Sequence, residues 1–314
     1  MMPEELVING THIKPGEDAV VDLNIARLPT YTVIDLPVYV YRGEDEGPVL
    51  LLTGGLHGDE INGVEIIRRM MTRELLKPQK GTILAMPLVN IYGFIQNVRG
   101  VPDGKDINRS FPGVKTGSLA RLVAHTLMNE IVPRIDYGID FHTGGASRSN
   151  YPQLRGKFDQ QTHLELARAF AAPFMLHSKL IKGSFRHAAH QKKKPILVFE
   201  TGEAMRLDEF GIQQGIDGTL RLMKHLGLRD DAPETGESRL FMKSSWVRAK
   251  YAGLFRPKVQ PGEDVNRRQT LGYVSDPFGS KSFKVTASHT GTVIGINYSP
   301  VIHKGDALMH IAHD

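Results

Sequence analysis

A run of three leucines at 50–52 gives way to two glycines, and His57, Asp59 and Glu60 follow within four positions in LLLTGGLHGDE. Further along, Asp140 and His142 close the apolar run YGIDFHTGG (137–145), and Glu200 closes PILVFETGE (195–203). Imidazoles and carboxylates set at the ends of apolar runs are the side chains that ligate metal ions and carry protons. The chain has no cysteine, so any transition-metal site must be built from His, Asp and Glu, which favours catalysis over structural zinc. His-x-x-Glu alone is a weak signal. Of the 13 histidines, the eleven other than His57 and His142 read as satisfied or exposed polar groups.

These residues need elements that bring them together. The runs 48–55, 81–90, 137–145 and 195–203 are continuous and apolar, as suits strands buried on both faces. Between them lie segments with helical period, such as Val64, Ile67, Met71 and Leu75 within 61–77, and Leu119, Leu122, Val123, Leu127 and Ile131 within 117–132. A further helix is expected over about 208–227. Strands alternating with helices predict a three-layer α/β fold on a mostly parallel mixed sheet. Ligands of such sheets bind beyond the carboxyl ends of the strands, where His57, Glu60, His142 and Glu200 all fall. Residues 17–44 alternate with period two and read as N-terminal hairpin strands.

The polar stretch RDDAPETGES (229–238) reads as a linker, so the expected division is a catalytic domain over 1–235 and a small all-β domain over 240–314. The tail holds a weak internal repeat. Val265, Leu271 and Val274 superpose on Ile302, Leu308 and Ile311 at an offset of 37, and Gly253 and Gly291 lead the two copies. Two such halves intertwine in the barrel-sandwich domains that carry biotin or lipoyl groups, which this tail resembles. The connection SDPFGSKSFK lacks the Met-Lys-Met type hairpin of the carriers, and Lys281 within it reads as solvated.

The order GGLHGDE, NRSFPG (108–113), DFHTG (140–144) and FETG (199–202) resembles the succinylglutamate desuccinylase/aspartoacylase family, a branch of the zinc carboxypeptidase-like hydrolases. The motifs span about 48–203, and a barrel-like tail is also a family feature. The resemblance implies that His57, Glu60 and His142 ligate one Zn²⁺ per chain, with a fourth position left to water. The chemistry agrees, because two neutral imidazoles and one carboxylate leave a Lewis-acidic centre. Glu200 matches the family's general base; Glu203 is its rival but follows a glycine, whereas Glu200 ends the apolar strand. Asn108 and Arg109 match the pair that grips a substrate carboxylate, a task suited to the planar fork of arginine. Arg99 falls where the family places an arginine that polarises the scissile carbonyl, and Arg186 resembles a second carboxylate-binding arginine. Asp140 sits two residues before His142, on the same face of a strand, and reads either as an acceptor that orients the imidazole or as a turn cap. Arg148, Tyr151 and Arg155, in a segment expected to be loop, read as substrate contacts or rim.

The expected function is therefore a zinc-dependent amidohydrolase (a deacylase) that releases an acyl group from an N-acyl amino acid or a related small carboxylate-bearing amide by way of metal-activated water. The alternatives are a carboxypeptidase acting on peptides and a non-catalytic binding or scaffold protein. The net charge of +5 is modest and scattered, with KKK at 192–194 the one dense run, so no nucleic-acid partner is expected. No apolar run approaches the roughly 18 residues of a membrane helix, and the start MMPEELVING lacks a basic n-region, so the expected location is cytoplasmic. Free strand edges in a barrel tail could mediate homo-oligomerisation.

Overall fold

The computed structural model describes residues 5–27, 30–31 and 33–314. The four apolar runs are its parallel centre: β5 (Asp45–Thr53), β6 (Lys80–Met86), β7 (Tyr137–Gly144) and β10 (Ile196–Glu203) lie in the order β10-β7-β5-β6. Their side chains alternate between two cores, as strand geometry requires. Leu50 and Leu52 face one cluster with α1 (Asn62–Thr72), α4 (Gln161–Phe170) and α6 (Glu209–His225). Leu51 and Ile196 face the other, with α3 (Leu119–Thr126), α5 (Phe185–Gln191) and residues of β3 (Asp18–Arg27) and β4 (Val33–Arg42). This is the expected three-layer arrangement.

The strand that flanks that centre on either side is antiparallel to it. β4 joins β6 and carries β3, the expected hairpin within 17–44. A separate small hairpin, β1 (Leu6–Ile8) with β2 (Thr11–Ile13), precedes it. On the other side β8 (Arg148–Gly156) runs antiparallel to β10 and also pairs with β9 (Phe174–His177). The segment expected to be a loop is thus a central strand. Two helices differ in extent from their periodicity. α1 stops at Thr72 because Glu74 takes a left-handed φ of 53°, and Leu75 N–H returns to Met70 O in a Schellman turn. α3 continues as a wide turn over Leu127–Ile131 and a tight one at Val132–Arg134, around Pro133. Between β6 and α3, α2 (Ile91–Gln96) and a turn at Ile107–Arg109 fold over the sheet's end.

After α6, the polar stretch leads through β11 (Arg239–Phe241), parallel to β9, into β12 (Lys243–Arg248). The tail then forms β13 (Gly253–Pro257), β14 (Asp264–Val265), β15 (Thr270–Ser275), β16 (Ser282–Thr286), β17 (Gly291–Asn297), β18 (Val301–Ile302) and β19 (Ala307–His313). The repeat read from sequence has a structural counterpart. β13 pairs with β15 of its own copy and with β18 of the other, while β17 pairs with β19 and with β14. The two copies are therefore intertwined, and the six repeat positions are all buried in one cluster. Lys281 is exposed. The tail's sheet is continuous with that of the α/β part, since β17 pairs with β8 to give, among the described residues, thirteen strands in one sheet.

Candidate metal centre and active-site cavity

His57 and Glu60 sit on the turn that leaves β5, and His142 and Glu200 on the last part of β7 and β10, so parallel neighbours deliver all four to one end of the sheet. Glu200 lies directly opposite His142 in the β10–β7 register, at a strand spacing of about 4.8 Å. The turn owes its shape to glycine, because any side chain on Gly58 would run into the backbone of Gly93 and Phe94.

His57, Glu60 and His142 are all buried, and one ligand atom from each lies within 4.8 Å of the other two. Nδ1 of His57 is 2.8 Å from Glu60 Oε1, and Nδ1 of His142 is 2.8 Å from Glu60 Oε2. The far nitrogens face carboxylates. His142 Nε2 is 2.8 Å from Asp140 Oδ2, and His57 Nε2 is 3.2 Å from Asp106 Oδ1. A carboxylate behind each imidazole fixes the ring and leaves Nδ1 as the free donor, the usual support of a metal-binding histidine. His57 Nδ1 is buried without a hydrogen-bond partner despite its closeness to Glu60. An orphaned nitrogen between a carboxylate and a second imidazole fits a cation and has no other satisfaction here.

The charges fit as well. Burial would raise the Glu60 carboxyl, but the two imidazoles hold it well below the usual range. Burial would lower His142, yet Asp140 and Glu60 push it well above the ordinary value, and Asp106 is held low against its own burial by His57 and Arg99. The cluster thus concentrates negative charge on a pair of imidazoles, as a dication site does. Asp140 Oδ1 also accepts a 2.8 Å hydrogen bond from Thr53 Oγ1, so one of its oxygens meets Thr53 and the other His142.

His57, Glu60, Asp140 and His142 line a cavity of about 580 Å³, within the range of small-molecule sites, together with Arg99, Asn108, Arg109, Arg186 and Glu200. Arg99 Nη1 donates to Glu60 Oε1 at 2.9 Å, and its other nitrogens reach Asp106. Asn108 Oδ1 accepts from Phe185 N–H at 2.9 Å, which leaves its NH₂ to donate. Arg109 forms no ion pair among the described residues. Arg186 is 8% exposed; it donates to Ser178 Oγ and Lys179 O, and burial, with Arg155 nearby, pushes its guanidinium down to about 10. It remains charged at neutral pH with no carboxylate in contact. Glu203 lies outside the cavity, beside Arg206.

Arg148 and Arg155 line the cavity, while Tyr151 packs against Phe174 and Phe210 away from it. Sequence reasoning missed Asp106, Asn150 and Trp246. Asp106 had a signal, since a carboxylate two residues before Asn108 caps the Ile107–Arg109 turn. Asn150 and Trp246 reach the cavity only through strand pairing far from the motifs.

Comparison with known proteins bears on the family and the fold. The profile of the succinylglutamate desuccinylase/aspartoacylase catalytic domain matches residues 46–226. An N-α-acetyl-L-2,4-diaminobutyric acid deacetylase of Halomonas elongata is 28% identical over 299 residues, covering 88% of this chain and 85% of that protein. A succinylglutamate desuccinylase/aspartoacylase from Rhodobacter sphaeroides superposes with a TM-score of 0.85 at 27% identity, over 95% of each chain. The product-bound ectoine utilization protein EutE (DoeB) of Ruegeria pomeroyi shares the fold with a TM-score of 0.85 at 22% identity, over 96% of this chain and 97% of that one.

Proposed function

Because the chain belongs to the succinylglutamate desuccinylase/aspartoacylase family, we propose that it is a zinc-dependent amidohydrolase that removes an acyl group from a small N-acyl amino acid. The observation that carries this reading is the placement of Glu200 directly opposite His142 across neighbouring strands, on the cavity that holds His57, Glu60 and His142.

His57, Glu60 and His142 would hold the ion, which would supply a Lewis acid for the scissile carbonyl and lower the pKa of a water to about 7. Glu200 takes a proton from the attacking water and delivers it to the leaving nitrogen, a contribution on the order of 10²–10⁴-fold. Arg99, beside Glu60, donates to the oxygen on which negative charge develops. Asn108 and Arg109 grip the substrate carboxylate with the NH groups their own contacts leave free. Arg186 offers a second such grip, since a buried guanidinium without a carboxylate partner is costly until a ligand provides one. The cavity volume, with Trp246 closing one side from the tail, favours a small substrate over a peptide. The deacetylase activity of the Halomonas relative supports the choice of an acyl amino acid.

The test is amine release from a panel of N-acetyl and N-succinyl amino acids by the zinc-loaded protein, beside Glu200→Gln. The substitution keeps the shape and removes the base, so turnover falls at least about 10²-fold with zinc retained. Undiminished turnover by Glu200→Gln removes the base from the scheme.

A further inference from the structure

Asn150 Nδ2 donates to Glu200 Oε2 at 2.6 Å, and Arg155 Nη1 lies 3.3 Å from Oε1, so each carboxylate oxygen has its own partner on β8. Asn150 reaches Glu200 through an irregularity in the ladder. Val198 pairs with Arg155 and Glu200 with Gln153, so a regular antiparallel register would set Tyr151 opposite Gly202. The register shifts by one residue there, and Asn150 takes that place instead. Bulges of this kind re-aim a side chain beside an active site.

The same residue faces the tail. Across the sheet the register runs Trp246 opposite His310, His310 opposite Gly295, and Gly295 opposite Asn150. Trp246 and His310 stack at 4.4 Å, and at Gly295 the row has no side chain. A Cβ on Gly295 would lie 2.8 Å from Asn150 Oδ1, 3.3 Å from Ser149 O and 3.7 Å from His310 Cβ. The first of these contacts is too close to persist. The backbone at Gly295 does not require glycine, because its φ lies outside the left-handed region. What an added methyl meets first is the movable end of the Asn150 amide.

We propose that Asn150 is the positioning residue of Glu200, and that Gly295 keeps it seated, so that the C-terminal strands complete the catalytic site. This rests on the reading of Glu200 as the proton carrier. Asn150 is 7% exposed, and its amide fixes the rotation of the carboxylate without neutralising it. Losing that restraint leaves substrate and metal binding in place and misaligns the transfer, and misplacements of about 1 Å cost on the order of 10²-fold.

The experiment uses the full-length, zinc-loaded protein, with kcat, KM and zinc content measured for Asn150→Ala, Gly295→Ala and the double variant on N-acetyl amino acids, beside Glu200→Gln. Each single substitution is expected to lower kcat on the order of 10–100-fold. KM is expected to stay within about twofold, with zinc content unchanged. Because both act through one amide, the double variant is expected to be no slower than Asn150→Ala. Wild-type kcat in folded Asn150→Ala, while Glu200→Gln is inactive, overturns the positioning role; should Asn150→Ala fail to fold, wild-type kcat in Gly295→Ala does so. Additive losses in the double variant overturn the link through Gly295. Full activity in Glu200→Gln instead defeats the proposed base, a separate result.

Discussion

Gly63 is the position where a single methyl group tests how tightly the proposed metal centre is built. It lies on the first turn of α1, three residues after Glu60, and a Cβ there would sit 2.6 Å from Phe141 Cβ and 2.9 Å from Phe141 O. Phe141 immediately precedes His142 on β7. Ordinary carbon contacts are about 3.5–4.0 Å, so Gly63→Ala drives α1 and β7 apart by about 1 Å. Two effects compete for stability. Alanine gains up to about 1 kcal/mol of helix propensity, and overpacking costs about 1–3 kcal/mol. The net loss is at most about 3 kcal/mol, within the stability of an ordinary domain, and the protein folds. The metal centre has less tolerance, because ligand distances hold within about 0.2 Å and the displacement separates Glu60 from His142 by several times that. We expect zinc affinity to fall at least about 10²-fold in competition with a chromophoric chelator, while the circular dichroism spectrum stays native. Gly236→Ala, with nothing within 4 Å of its Cβ, is the neutral control. Wild-type zinc affinity and turnover in folded Gly63→Ala would refute the claim that α1 and β7 set the ligand geometry.

Chelation of the metal followed by its return should abolish and then restore turnover. Zinc binding should also raise thermal stability, with about 4.1 kcal/mol expected at a thousandfold excess over Kd; a melting curve indifferent to zinc counts against the site. Arg186→Ala should raise KM for carboxylate-bearing substrates on the order of 10–100-fold, the worth of charged hydrogen bonds at about 1.5–3 kcal/mol. The penalty should vanish for N-acyl amines without a carboxylate, which a matched substrate pair will show. Burial, with Arg155 nearby, pushes His310 down to about 3. Its folded value lies below the unfolded one near 6.5, so its stability is intact above pH 6.5 and drains as pH falls. Between pH 6.5 and 5 the loss is about 2 kcal/mol, and His310→Phe, which keeps a ring against Trp246, should flatten that limb in denaturant titrations.

The sheet's centre was legible because its strands are buried on both faces and cannot hide their composition: 48–55, 81–90, 137–145 and 195–203 are apolar for that reason. The strand β8 was not. RSNYPQLRG carries two arginines, an asparagine, a glutamine and a proline, which read as loop. Arg148, Asn150 and Arg155 line the cavity, and Gln153 donates to Ile294 O in the tail, so the strand's composition is set by the site and the joint. The repeat at 253–311 announced two intertwined copies, but the pairing of β17 with β8 leaves no local trace, since Gly295 contributes no side chain.

By itself the sequence determined the alternating architecture and which imidazoles and carboxylates end the apolar runs, because burial restricts residue choice at short range. Tertiary structure alone decided that Asp106 stands behind His57, that Asn150 holds Glu200, and that Trp246 from the tail walls the cavity. The last two depend on sheet register between strands far apart in the chain, and the first on the turn before Ile107–Arg109 folding over the sheet's end; both are properties of the assembled backbone that no single segment encodes.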